Sequence, residues 1–255
     1  MLDLKEIIKN AELGKTYLFS AGQAGFIIKN SQGKTLAIDL YLSNCLEEEE
    51  GHIGFKRLQK SILQADEINF DVIIATHPHL DHYDKESMPQ LMKGDNSKLF
   101  ASVFCEQYVV ESNIPARKVK YVKPGDEYQT DGFVIHFVNC DHGDGAPDAV
   151  GVIVETDGKI IYEAGDTCLR LDRVKEYVQF GNPDVMIAPI NGAYGNMNEV
   201  ECAQFSNAIK PKVTIPCHYG MFASHYGSPG LFYEEMKKYD NRKFMFMAQG
   251  DMIEL

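Results

Sequence analysis

With 255 residues, 44% of them hydrophobic, the chain is long enough to bury one large core and sits at the upper end of what one domain holds. Its 25 basic and 37 acidic residues leave a formal charge of −12 with no basic stripe or arm, which excludes nucleic acid as the main partner. No apolar run approaches the roughly 20 residues of a membrane span, and the charged start Met1-Leu2-Asp3-Leu4-Lys5-Glu6 lacks the pattern of a signal peptide, so a cytoplasmic protein is expected.

Strands are expected over 17–20, 26–29 and 35–39, the last two joined by the turn Asn30-Ser31-Gln32-Gly33. The acidic run Glu47-Glu48-Glu49-Glu50 reads as a solvated loop or helix end, and a helix is expected over 55–63. A strand over 71–76 runs into Thr76-His77-Pro78-His79-Leu80-Asp81-His82, with a helix near 85–93 beyond it. The strand-like run 132–138 precedes Cys140-Asp141-His142-Gly143-Asp144, and strands over 149–155 and 160–162 form a hairpin over Thr156-Asp157-Gly158. Helix 171–179 leads to strand 184–189, helix 199–209 to strand 213–216, and helix 231–238 to a last strand over 243–248. Two hairpin-then-βα halves with no linker between them fit mixed α and β layers in a single domain spanning 1–255.

The chemistry is expected at the 76–82 run. His77, His79, Asp81 and His82 fall within six residues at the end of a strand, where charged forms repel and little packing is available. A bound metal ion turns that cost into stabilisation. His142, Asp166 and His218 each follow a short apolar strand beside a turn residue, so a rigid sheet can bring them to the same edge. Imidazoles with carboxylates suit Zn²⁺, Mn²⁺ or Fe²⁺. A bound ion of this kind activates water at neutral pH and polarises a carbonyl or phosphoryl oxygen. The six cysteines follow no framework spacing and read as reduced thiols; Cys140 and Cys217, close to ligand candidates, are either buried residues or thiolate ligands.

In this order, His-x-His-x-Asp-His, a His, Gly-Asp and a final His resemble the metallo-β-lactamase superfamily, over nearly the whole chain from Gly22 onward. Ala21-Gly22-Gln23-Ala24-Gly25-Phe26, the segment from Cys140 to Gly151 and the segment from Pro189 to Asn198 are similar to its L-ascorbate-6-phosphate lactonase branch. The resemblance implies an α+β fold of four αββα layers, two facing mixed sheets with helices outside. It implies a first metal position at His77, His79 and His142, a second at Asp81, His82 and His218, and Asp166 bridging them. Catalysis falls to Asp81, His82 and Asp166, with Asp81 orienting the attacking water, and the branch resembles a manganese enzyme. Asp39 resembles the buried aspartate that supports the histidine loop. Asp141 and Thr167 flank ligands and are placed to orient them.

The implied activity is that of a metal-dependent hydrolase, a carboxylic ester hydrolase opening a phosphorylated sugar-acid lactone such as L-ascorbate 6-phosphate with metal-activated water. A phosphodiesterase acting on small or lipid-like phosphodiesters would use the same pair of ions, and a non-catalytic metal-binding protein is a further alternative. His79 stands where the superfamily's di-iron oxidoreductases carry Glu, which argues against redox chemistry. Asn191, Tyr194, Asn196 and Asn198, beyond strand 184–189, and His225 are candidate contacts to a small-molecule substrate. Arg170, Lys56 and Arg57 are candidates for a phosphate group. Relatives of this kind often associate, so a homo-oligomer fits the resemblance.

Overall fold

The computed structural model of the chain describes residues 3–255. The first half runs α1 (Leu4–Asn10), β1 (Tyr17–Gly22), β2 (Gly25–Lys29), β3 (Thr35–Ile38), α2 (Cys45–Glu50), β4 (Val72–Ala75), α3 (Met88–Leu91), β5 (Lys98–Ser102), α4 (Glu106–Glu111) and β6 (Val119–Val122). It continues with β7 (Glu127–Thr130), β8 (Phe133–Asn139), β9 (Val150–Thr156), β10 (Lys159–Glu163), α5 (Val174–Tyr177) and β11 (Val185–Pro189). The chain then forms α6 (Glu199–Ile209), β12 (Val213–Cys217), α7 (Pro229–Met236) and β13 (Met252–Glu254).

One sheet has the strand order β13-β1-β2-β3-β4-β5-β6 and the other β12-β11-β10-β9-β8-β7. Both are mixed. In the first, β3 to β6 are parallel neighbours beyond an antiparallel β1–β2–β3 meander. In the second, β7 to β10 alternate direction, and β10, β11 and β12 run parallel.

Side chains one residue apart enter different cores, as the pleat requires. Leu18, Phe26, Ile28, Leu36, Ile38, Val72 and Ile74 meet Ile135, Phe137, Val152, Val154, Ile161, Val185 and Ile187 between the sheets. Their neighbours Phe19, Ile27, Ala37, Ile73 and Leu99 face outward and pack against Leu4 and Ile8 of α1 and Met88 and Leu91 of α3. On the far side, Tyr162, Met186 and Ala188 pack against Phe205 and Ile209 of α6 and Phe232 and Met236 of α7. Burial on both faces explains why these strands read as continuous apolar runs, and the result is the expected four-layer αββα sandwich.

The strands that share a direction deliver their following loops to one edge of the sandwich. Asp39 follows β3, the 76–82 run follows β4, and His142, Asp166 and His218 follow β8, β10 and β12. No helix among the described residues is long and apolar enough to cross a membrane.

Several expected elements differ. No helix forms over 55–63; helix α2 lies upstream, over the acidic run, and 55–63 follows an irregular path that pairs Arg57 with Phe222. Leu58 and Ile62 of this segment are 61% and 36% exposed, so a helix there would bury no continuous apolar face. The helices expected at 85–93 and 171–179 shrink to α3 and to a 3-10 turn followed by α5. Residues 243–248 make only one ladder contact, Phe244 with Thr214, because the Tyr219 hydroxyl takes the backbone N–H and carbonyl of Met247. The closing strand is β13, paired with β1.

Ile187 is fully buried at the centre of the inter-sheet core. Ile187→Ala is expected to lower unfolding stability by about 2–5 kcal/mol in urea titrations; a loss below about 1 kcal/mol would mean that this interface is loosely packed.

Candidate metal centre

Asp39 leaves β3 in the left-handed region, at φ 48°, and is completely buried. Its Oδ1 accepts from the Thr76 backbone N–H at 2.8 Å, and its Oδ2 accepts from the Thr76 hydroxyl at 2.6 Å and from His82 Nδ1 at 2.7 Å. Since the Thr76 proton goes to Asp39, the Thr76 oxygen is free to accept from His77 Nδ1 at 3.0 Å. Both rings therefore carry a proton on Nδ1 and turn Nε2 inward, the arrangement that ligating imidazoles need.

Two further sets of side chains complete the site. His79 Nδ1 stands 3.1 Å from His77 Nε2 and 3.1 Å from His142 Nε2. Donors bound to one ion at about 2.1 Å are separated by roughly 3.0–3.4 Å, so these three nitrogens suit a single cation. Asp81, His82 and His218 offer a second group of donor atoms, all within 4.8 Å of one another. Asp166 lies between the two groups. Its Oδ1 is 2.7 Å from His218 Nε2 and 3.4 Å from His82 Nε2, and its Oδ2 is 3.7 Å from His142 Nε2. Asn196 holds that carboxylate, donating to Oδ2 at 2.8 Å.

His82 Nε2, His218 Nε2 and Asp166 Oδ1 are buried and have no hydrogen-bond partner. The 2.7 Å contact between the last two falls outside hydrogen-bond geometry, and Asp166 Oδ1 lies 3.4 Å from His82 Nε2. Buried polar atoms left unpaired are costly, and a divalent cation would satisfy all three. The donor chemistry thus fits the ions expected from the sequence.

The electrostatics divide the same way. Burial, with the charge of nearby His82, pushes the pKa of His77 well below the ordinary imidazole value. Burial likewise lowers His142 to about 4. Burial also opposes a charge on His82, but Asp166, Asp81 and Asp39 outweigh it and hold the pKa of His82 well above the usual value. For Asp166, burial is outweighed by His218 and His82, which keep its pKa well below the carboxylate range.

Residues 17–218 match the family model described as beta-lactamase superfamily domain. The chain belongs to this superfamily. It is 29% identical over 245 residues to a UPF0173 metal-dependent hydrolase of Myxococcus xanthus, covering 91% of this chain and 80% of that protein. It is 30% identical over 245 residues to the UPF0173 metal-dependent hydrolase of Pyrococcus abyssi, covering 92% and 97%. Among solved structures, Igni18, a metallo hydrolase from Ignicoccus hospitalis, superposes with a TM-score of 0.72 at 22% identity over 94% of this chain and 98% of that one, a likeness of fold. The protein is thus a metal-dependent hydrolase of the metallo-β-lactamase fold.

In this hydrolase both donor groups open onto a 280 Å³ pocket. His79, Asp81, His142, Asp166 and His218 line its floor, with Asn191, Tyr194, Asn196 and His225 on one wall. The Asn196 amide nitrogen donates to Asp166 and Asn191, so it orients a floor carboxylate, while its buried Oδ1 is left without a partner. His225 is held by Nε2 donating to the Ile53 carbonyl at 3.0 Å, and its ring packs against Phe55 and Tyr194.

Other expected contacts lie elsewhere. Asn198 caps α6, its side chain accepting from the Glu201 N–H at 3.0 Å while Glu201 accepts from the Asn198 N–H. Arg170 is ion-paired with Asp172 and Asp141 and does not line the pocket. The Arg57 guanidinium donates to the carbonyls of Gln59, Ser43 and Tyr41, so it is not free for phosphate, and Lys56 is exposed outside the pocket. Of the flanking residues, the Thr167 hydroxyl accepts from the Asp141 backbone N–H at 3.1 Å. Cys140 donates to the Asp166 carbonyl at 3.0 Å, and burial raises its pKa and that of Cys217, so both are buried thiols outside the donor groups.

Sequence reasoning gave no role to Gln23, Leu46, Phe55 or Tyr108, all of which line the pocket, nor to Glu49 and Glu50 at its rim. Gln23 carried a signal, since a bulky polar residue between Gly22 and Ala24-Gly25 is unusual turn chemistry.

The electrostatics lead to a pH test. A cation at Asp81, His82 and His218 must displace the His82 proton, because a raised pKa keeps that ring protonated in the metal-free protein near pH 7. Its affinity should fall by up to about tenfold per pH unit as pH drops. His77 and His142, with lowered pKa values, are already neutral and release no proton. Calorimetric titration at pH 7.5 in buffers of different ionisation enthalpy should show more proton release on filling the second group than on filling the first; equal release from both would contradict this assignment.

Proposed function

We propose that this hydrolase opens a small, uncharged lactone or cleaves a comparable ester. One observation carries the reading: the pocket over the two donor groups is lined by Leu46, Phe55, Leu80, Tyr108 and Tyr194 beside the uncharged amides Asn191 and Asn196, and no Lys or Arg lines it. The charged groups at its rim are Glu49, which pairs with Lys85, and Glu50. A phosphorylated lactone would find no cationic side chain for its phosphate, so the phosphate-free member of that substrate class suits the pocket better. The volume of 280 Å³ lies near the lower end for ligand sites, which fits a small ring.

His77, His79 and His142 would hold one divalent cation, and Asp81, His82 and His218 a second, with Asp166 between. When bound, such ions make water acidic enough to ionise near neutral pH and polarise a carbonyl oxygen. The protein's own groups do the rest. The apolar walls hold the ring and exclude bulk water. Asp81, in the pocket floor and braced by Gln23, orients the attacking water and accepts its proton. The tetrahedral intermediate collapses with cleavage of the ring C–O bond, and Asp81 returns the proton to the departing alkoxide. No covalent enzyme intermediate forms.

The test is hydrolysis of a lactone panel, each member with and without a phosphate, beside bis-p-nitrophenyl phosphate, in Zn²⁺ and in Mn²⁺. Neutral lactones should be opened with the highest kcat/KM, and His77→Ala or Asp166→Ala should reduce it by more than about 100-fold. Phosphodiester cleavage without lactone opening would replace this reading with a phosphodiesterase.

A further inference from the structure

Gln23 lies outside the proposed ligand set yet touches two of its members. Its side-chain nitrogen is 3.0 Å from Asp81 Oδ2 and 3.0 Å from His218 Nδ1, and its backbone carbonyl accepts from the His218 N–H at 3.3 Å. The residue is buried and lines the pocket floor.

The backbone beneath it points the same way. Gln23 opens the two-residue connection between β1 and β2 at φ 55°, beside a register shift between Ser20 and Gly22. Irregularities of this kind re-aim a side chain, and a left-handed first position in a tight hairpin favours glycine. Glycine would relax the turn but could not reach Asp81 or His218. Strained backbone at a site is an observation from which function can be argued.

We propose that Gln23 is the positioning residue of the second metal position, holding Asp81 and His218 as a pair so that their donors stay convergent with His82. This rests on the reading that Asp81, His82 and His218 form that position. One amide nitrogen reaches both side chains, which an ionised glutamate, able only to accept, could not do for the Asp81 carboxylate. The Gln23 side chain makes its hydrogen bonds to the second group alone, so the first position should be independent of it.

The experiment is metal stoichiometry by elemental analysis with chelator-competition titrations on wild type, Gln23→Met and Gln23→Gly. Methionine keeps length without donors, and glycine relaxes the left-handed turn, so the second variant decides the matter should the first fail to fold. Wild type should hold two ions. Both variants should keep the first at wild-type affinity and bind the second about 10–100-fold more weakly. Wild-type affinity for both ions in the variants, or equal weakening of both, would overturn the proposal. Wild type holding one ion or none would overturn the second metal position itself, and that failure would be visible before any variant is made.

Discussion

The site depends on one buried carboxylate. Asp39 accepts three hydrogen bonds, from the Thr76 N–H, the Thr76 hydroxyl and His82 Nδ1, and through Thr76 it also orders His77. A single anion thereby fixes the rings that begin and end the histidine loop. Without it, His77 and His82 would keep their place in the chain but not the direction of their Nε2 atoms. A carboxylate at zero exposure is tolerated only when its lone pairs are occupied in this way.

Backbone strain gathers at the same edge. Gln23, Asp39 and His218 all adopt positive φ, at 55°, 48° and 61°. Conformations of this kind cost about 1–3 kcal/mol each and persist only where surrounding structure enforces them. Here the surroundings are two sheets buried on both faces, with β3 and β12 ending one residue before Asp39 and His218. The sandwich is stable enough to hold side chains in unfavourable loops, and the loops bring together histidines and carboxylates from five separate strand ends.

Much of this was legible in the sequence. β1 to β4 and β8 to β12 announced themselves as apolar runs, whereas β5, β6, β7 and β13 did not, β6 and β7 carrying Lys120, Glu127 and Gln129 in short, half-exposed pairings; the ligand candidates announced themselves by residue type at strand ends. The capped helix α6 spans the expected residues because its signals are local, an Asn198 cap with Glu201 three positions on. What could not be read depends on contacts between distant segments. The helix expected over 55–63 has the right spacing but no surface to bury it. Asn198 and Arg170 have the right chemistry for substrate, but a helix end and two aspartates claim them. Gln23 is 58 positions from Asp81 and 195 from His218, and only the fold joins them.

The pocket combines a polar floor built for cations with walls suited to an uncharged molecule, and it is the floor that the family relationship and the geometry define together. The most direct test of the account is anomalous diffraction, at the absorption edge of the ion, from crystals of the cation-loaded protein. The account predicts one peak about 2.0–2.2 Å from His77 Nε2, His79 Nδ1 and His142 Nε2, and a second beside Asp81, His82 and His218. It also predicts His77 and His82 in the orientations that Asp39 and Thr76 set. No peak at these nitrogens, or rings turned away from Asp39 to reach the ion, would contradict it.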